Sequence, residues 1–160
     1  LYVRREVQER LQPTVYGWHN LRCPDFVAQE ELKFRPDARR YEPGSANLLG
    51  LAGLKAALEL ALEIGVDTIA AELLRKRARL VAALRERGYE VLGAGAPPEN
   101  ASGIVSFHRP GSDMAALHAR LAAEGIQTSL RADRAGQRYL RLSPHYYNTD
   151  AELDCALAQL

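Results

Sequence analysis

Two short stretches carry side chains suited to holding anions. In RRYEPGSANLLG, residues 39–50, Gly44 and Ser45 stand directly before an apolar run that reads as a helix. Unpaired backbone N–H groups and the positive end of the helix dipole would face whatever binds there. Glycine lets a backbone come close and serine adds a hydroxyl, although an ordinary helix cap uses the same residue types. In YLRLSPHYYNTDAE, residues 139–152, Arg141 alternates with Leu140 and Leu142 and falls at a strand end just before Pro144. A guanidinium in that place suits two-point capture of a carboxylate. A salt bridge to one of the 20 acidic residues is the competing reading.

The elements that must position these groups fall into two parts. Residues 1–46 form an arm. LYVRR at its start alternates like a strand, a helical turn follows near Glu6 to Leu11, and Pro13, Gly17, Pro24, Pro36 and Pro43 interrupt anything longer. Residues 47–160 form a small α+β domain. NLLGLAGLKAALELALEI, residues 47–64, is helical, and its only charges, Lys55, Glu59 and Glu63, recur every fourth residue on one stripe. Nearly the whole cylinder is therefore expected to be buried, with Gly50 and Gly53 allowing tight packing, each at about 1 kcal/mol against alanine.

Gly65 ends that helix, Asp67 can cap the next, and Gly88 stops it, giving a helical hairpin whose second member has Ile69, Leu73, Leu80 and Leu84 as its seam. Arg75, Lys76, Arg77, Arg79, Arg85 and Arg87 lie mainly off the seam and read as a solvated face. Two strands follow, in YEVL and GIVSF. A helix from Asp113 to Glu124 capped by Ser112 comes next, then strands in IQTSLR and RYLRLS, then a last helix opened by the Thr149/Glu152 capping box. The fold expected is α+β: a short antiparallel sheet with helices packed on one face.

Other chemistries find little support. With Lys plus Arg at 21 against Asp plus Glu at 20, no global field recruits nucleic acid or an anionic membrane. The basic helix has no accompanying aromatic platform for bases. No apolar run has the length of a membrane span and no secretory signal layout is present, so a cytoplasmic protein is expected. Cys23 and Cys155 lie far apart and read as free structural thiols. His19, His108, His118 and His145 show no spacing for a metal, so none is expected. The Asn-Ala-Ser at Asn100 is a glycan pattern without a secretory context. Lys33, Lys55 and Lys76 sit in an arm and two helices and read as solvated side chains.

The sequence resembles the class V aminotransferases of the fold-type I pyridoxal-phosphate enzymes, a group that includes cysteine desulfurases and kynureninase-like and isopenicillin-epimerase-like proteins. The likeness runs nearly end to end. It is carried by LYVRRE, by YGW at Tyr16–Trp18, by RYEPGSAN at Arg40–Asn47, by SGIVSF at Ser102–Phe107 and above all by RLSPHYYNTDAELD at Arg141–Asp154. The resemblance implies that Arg141 binds the substrate's α-carboxylate. It also implies that Gly44 and Ser45, Ser standing in for the family's Thr, reach the phosphate of pyridoxal 5'-phosphate across a homodimer interface. Arg131, in TSLRADRAG, matches a position near the substrate in part of the family, with a solvated surface arginine as the competing reading.

By the same resemblance, the lysine that holds the cofactor covalently precedes the segment matched by LYVRRE, so no catalytic residue is assigned within these residues. The chain is then the C-terminal portion of an enzyme acting on an amino acid, with residues 1–46 an arm and a remnant of the large-domain connection, and is inactive alone. A desulfurase would carry a cysteine on the loop between the late strands. Thr128 to Gln137 contains none, which argues against that activity. The alternative reading is a free-standing, non-catalytic α+β module that binds a ligand or a second copy of itself.

Overall fold

The computed structural model describes residues 2–22 and 30–160, and the chain divides into two compact units, Leu1–Leu58 and Glu59–Leu160. Cys23 lies outside the described residues. In the first unit the strand suggested by LYVRR does not form among Tyr2–Arg4. A single helical turn, α1 (Arg5–Gln8), follows instead. The Gln8 amide reaches back to donate to the Val3 carbonyl at 3.0 Å, occupying an acceptor that a ladder would need.

The first unit is held by polar side chains. Asn20, fully buried, donates to the carbonyls of Val15 at 2.7 Å and Arg40 at 3.1 Å and accepts from the Gly17 N–H at 2.9 Å. Arg40, also buried, donates to the carbonyls of Arg35 and Gln8 and pairs with Glu9 at 3.2 Å. It belongs to a short 3₁₀ turn, Ala38–Tyr41, capped by the Asp37 side chain. The arginine beside Asp37, Arg39, holds that carboxyl down at about 2. The rings of Tyr16 and Phe34 stack with centroids 5.2 Å apart.

The helix α2 (Leu48–Ile64) departs most from expectation, since none of its residues is buried and Leu49 is 87% exposed. Hydrophobic pattern reports that a helix needs cover on nearly every side; it does not say that neighbours in the same stretch of chain supply it. Asn47 caps the helix, its side chain accepting from the Gly50 N–H at 2.9 Å. Gly65, at φ +91°, is the sole residue between α2 and α3 (Val66–Glu86), so Asp67 sits inside the first turn of α3 rather than capping it. No residue of α2 contributes to a buried seam. The stop after α3 is as read: Gly88 adopts φ +78° and Tyr89 N–H closes onto the Leu84 carbonyl at 3.0 Å.

In the second unit β1 (Glu90–Val91), β2 (Val105–His108), β3 (Ser129–Ala132) and β4 (Arg138–Leu142) form one antiparallel sheet in the order β1-β2-β4-β3. Val105 faces Leu142, and Phe107 and Leu130 both face Leu140 across the ladders, so these side chains share one side of the sheet. Leu80 and Leu84 of α3, Met114 and Leu121 of α4 (Met114–Ala123), and Leu153 and Leu157 of α5 (Asp150–Ala158) close on that side as a single apolar cluster. The expected α+β layer, helices on one face of a short antiparallel sheet, is what forms.

Two local details differ. The cap of α4 is Asp113, which accepts from Ala115 and Ala116, rather than Ser112; its two backbone bonds hold the carboxyl below its ordinary range. The basic residues of α3 are not a bare solvated face: Arg75 pairs with Glu72 and Asp150, Arg79 with Asp150 and Asp154, and Arg77 donates to the carbonyls of Gly93 and Ile104. They tie α3 to α5 and to the β1–β2 connection. The Thr149/Glu152 capping box forms as expected, and the amide and hydroxyl bonds from Thr149 lower the Glu152 carboxyl.

Candidate functional site

The side of the sheet away from the helices carries the polar chemistry. Strand alternation sends Ser106 and His108, Ser129 and Arg131, and Tyr139 and Arg141 to this side. Arg141 stands opposite Ser106 on one neighbouring strand and Ser129 on the other. It is half-buried, its Nη2 lies 3.5 Å from the Ser129 hydroxyl, and its Nε is buried with no hydrogen-bond partner. Among the described residues no carboxylate pairs with it, so the salt bridge that competed with ligand binding does not form. A guanidinium that is partly dry and short of an acceptor has N–H groups left over for an anionic or carbonyl oxygen.

Arg131 lies one register step away on the same side, opposite Tyr139, and is exposed. Sequence reading placed both arginines correctly on late strands, and the structure brings them to one face. It adds a row that sequence reading missed. Glu90 pairs with His108 Nε2 at 3.1 Å, the His108 ring meets the Tyr139 ring edge-on at 4.9 Å, and the Tyr139 hydroxyl lies 3.3 Å from Asp133. Partial burial, then the Asp133 carboxylate, push the Tyr139 phenol up from its ordinary value. His108 Nδ1 is a second buried atom without a partner. The alternation of Val105 and Phe107 with Ser106 and His108 was the signal for this row.

Lys76 corrects the expectation of a solvated side chain. It is 1% exposed, donates to the carbonyls of Tyr146 at 2.5 Å and His145 at 3.2 Å, and pairs with Glu72 at 3.1 Å. The seam Ile69, Leu73, Leu80, Leu84 has a gap one turn before Leu80, and Lys76 fills it. That gap was the legible sign. Cys155 is free but exposed, so it is not the buried structural thiol expected. No cluster of side chains among the described residues could hold a metal ion.

In the first unit, Gly17 of the YGW stretch is where Pro43 passes: a Cβ there would collide with the Pro43 carbonyl, which also accepts from the His19 N–H at 3.4 Å. This crossing sets the backbone just ahead of Gly44 and Ser45, both exposed. A Cβ on Gly44 would meet nothing within 4 Å, so the space beside it is open to an approaching group. The helix that follows begins only at Leu48, with the Gly50 N–H already taken by the Asn47 side chain, so the groups Gly44 and Ser45 offer an anion are their own exposed N–H groups and the Ser45 hydroxyl.

The aminotransferase class-V family model matches residues 1–155. A probable cysteine desulfurase of Xylella fastidiosa is 28% identical over 99% of this chain and 36% of its own length. A cysteine desulfurase of Synechococcus elongatus is 29% identical over 100% of this chain and 26% of its own. The chain therefore spans about a third of the length of these curated relatives. Among solved structures, the apo cysteine desulfurase of Thermococcus onnurineus superposes with a TM-score of 0.84 at 23% identity, over 98% of this chain and 40% of that one, a likeness of fold. With a family match over nearly its whole length and the fold to go with it, the chain belongs to the class-V aminotransferases.

Proposed function

We propose that this chain is the substrate-carboxylate side of a pyridoxal-phosphate-dependent enzyme acting on an amino acid, with residues 1–46 as arm and large-domain connection and 47–160 as the small C-terminal domain. The observation that carries the reading is Arg141: half-buried between two serines, its Nε unpartnered, on the side of the sheet left free by the helices. Its role is to orient the substrate through the α-carboxylate, with Arg131 as a second cation on the same face. Gly44 and Ser45 donate to the cofactor phosphate of the other subunit in a cytoplasmic homodimer.

Bound pyridoxal phosphate would supply an electron sink for the substrate's α-carbon. The family resemblance puts the lysine that holds it ahead of the segment matched by LYVRRE, and Lys76, saturated in the interior, is not available for that role. The exposed leucines of α2, Leu48, Leu49 and Leu62 foremost, agree with a piece that is covered in a larger assembly. The loop between β3 and β4 holds no cysteine, which supports amino-group or lyase chemistry over the persulfide chemistry of a desulfurase.

The test is made in the full-length protein. Bound cofactor is followed by its absorbance band, and amino-acid affinity is compared between the parent and Arg141→Ala. Loss of a charged two-point contact should weaken affinity about 10- to 100-fold. Unchanged affinity removes the carboxylate role.

A further inference from the structure

We propose that Lys76 is a positioning residue for the Arg141 carboxylate site, acting through the chain that leaves β4. The proposal rests on the function proposed for Arg141. Its starting point is a mismatch on α3. A position one turn before Leu80, between residues that feed the apolar cluster, carries an ammonium buried to 1% exposure. Placing a charge there is unfavourable unless every donor is met. An ammonium has three donors, and three acceptors surround this one: the Glu72 carboxylate and the carbonyls of His145 and Tyr146. The group is fully matched, and two of its three partners lie on one loop.

That loop begins where the ladder stops. Arg141 is the penultimate residue of β4, held by Ser106 and Ser129 on its two sides, and the last residue of β4, Leu142, has a ladder partner only in Val105. Beyond it, residues 143–149 run to the first turn of α5. Within this run His145 N–H donates to the Asn148 side chain, and the far end is fixed by the Thr149/Glu152 capping box and by Arg75 on Asp150. The ammonium supplies the fixed point between the ladder and the cap. A strand end that is free to fray would let the Arg141 guanidinium wander and weaken its two-point hold on a carboxylate. A leucine or methionine at 76 would fill the same space and leave both carbonyls without a donor.

The test uses the full-length enzyme with its cofactor and compares Lys76→Met, Glu72→Gln and Arg141→Lys with the parent. Amide hydrogen exchange is read at 143–148 and, as control, at 105–107 and 140. The probe for kinetics is whichever of the twenty L-amino acids perturbs the cofactor absorbance at lowest concentration. Lys76→Met should speed exchange at 143–148 at least about tenfold with the control amides unchanged, and raise KM about tenfold with kcat within about twofold. An unchanged KM with a loosened loop overturns the proposal, as does an unchanged loop. If Lys76→Met does not fold, Glu72→Gln, which keeps the ammonium and removes its counter-charge, must shift loop exchange and KM in the same direction, and failure to do so is equally fatal. Arg141→Lys separates the two readings: if it leaves KM unchanged, the carboxylate site itself is wrong; if it raises KM while Lys76→Met does not, only the positioning role falls.

Discussion

In the unit Leu1–Leu58 the buried residues among those described are Gln8, Asn20 and Arg40, all polar, whereas Glu59–Leu160 closes an apolar cluster around Phe107 and Leu140 with Lys76 as its one buried charge. The first kind of interior is directional. Each of its hydrogen bonds contributes about 1 kcal/mol net, yet a partner left unmatched costs about 1–3 kcal/mol. The second kind is cumulative and tolerant of direction, because apolar burial scales with area. Directional bonds fix the backbone of Arg40 shortly before Gly44 and Ser45; a packed layer lies behind the strand that carries Arg141.

The largest effect should come from the packed layer. Phe107→Ala empties the centre of the cluster, and denaturant unfolding of the chain should show a loss of about 3–5 kcal/mol. A loss below about 1 kcal/mol would mean that the sheet does not depend on its apolar side. Next comes Asn20→Ala, which strands two carbonyls and one N–H. About 1–3 kcal/mol is expected, read as faster limited proteolysis within residues 2–58 with amide exchange at Val105 and Leu140 unchanged. Acceleration at both places would erase the contrast between the units.

The smallest effect is acid sensitivity. Arg75 first and Lys76 second hold the Glu72 carboxyl at about 2, below the usual 4.5, and Arg75 likewise lowers Asp150. Folded carboxyls with depressed values bind fewer protons than unfolded ones. Their stabilisation is therefore complete above about pH 4.5 and is lost as pH falls through about 2. Glu72→Gln should flatten the fall of melting temperature over that window, and added salt should flatten it in the parent. A parallel fall in both proteins would assign the acid response to other groups.

Much of the second unit was legible. Strand alternation around Val105 and Leu140, the glycine stop at Gly88 and the Thr149/Glu152 box are local signals, and each is present as read. Arg141 could be singled out for the same reason, since alternation separates it from the apolar side, whereas Arg131 was marked only by the family resemblance. The misreadings have different causes. Asp113 rather than Ser112 caps α4, Lys76 is buried rather than solvated, and Tyr2–Arg4 form no strand. The first and third turn on local bonds, Asp113 to Ala115 and Ala116 and Gln8 to the Val3 carbonyl, and the second on partners some 70 residues away.

What the sequence determined by itself is the class of fold and the family, because periodicity, turn residues and short motifs act over a few residues and leave their mark in order along the chain. Only the tertiary structure decided that Lys76 faces two carbonyls on a loop some 70 residues away, that Gly17 makes room for Pro43, and that His108 and Tyr139 meet. Such pairings depend on which surfaces arrive together when the layers close, and a buried ammonium or a glycine crossing has no local pattern of its own.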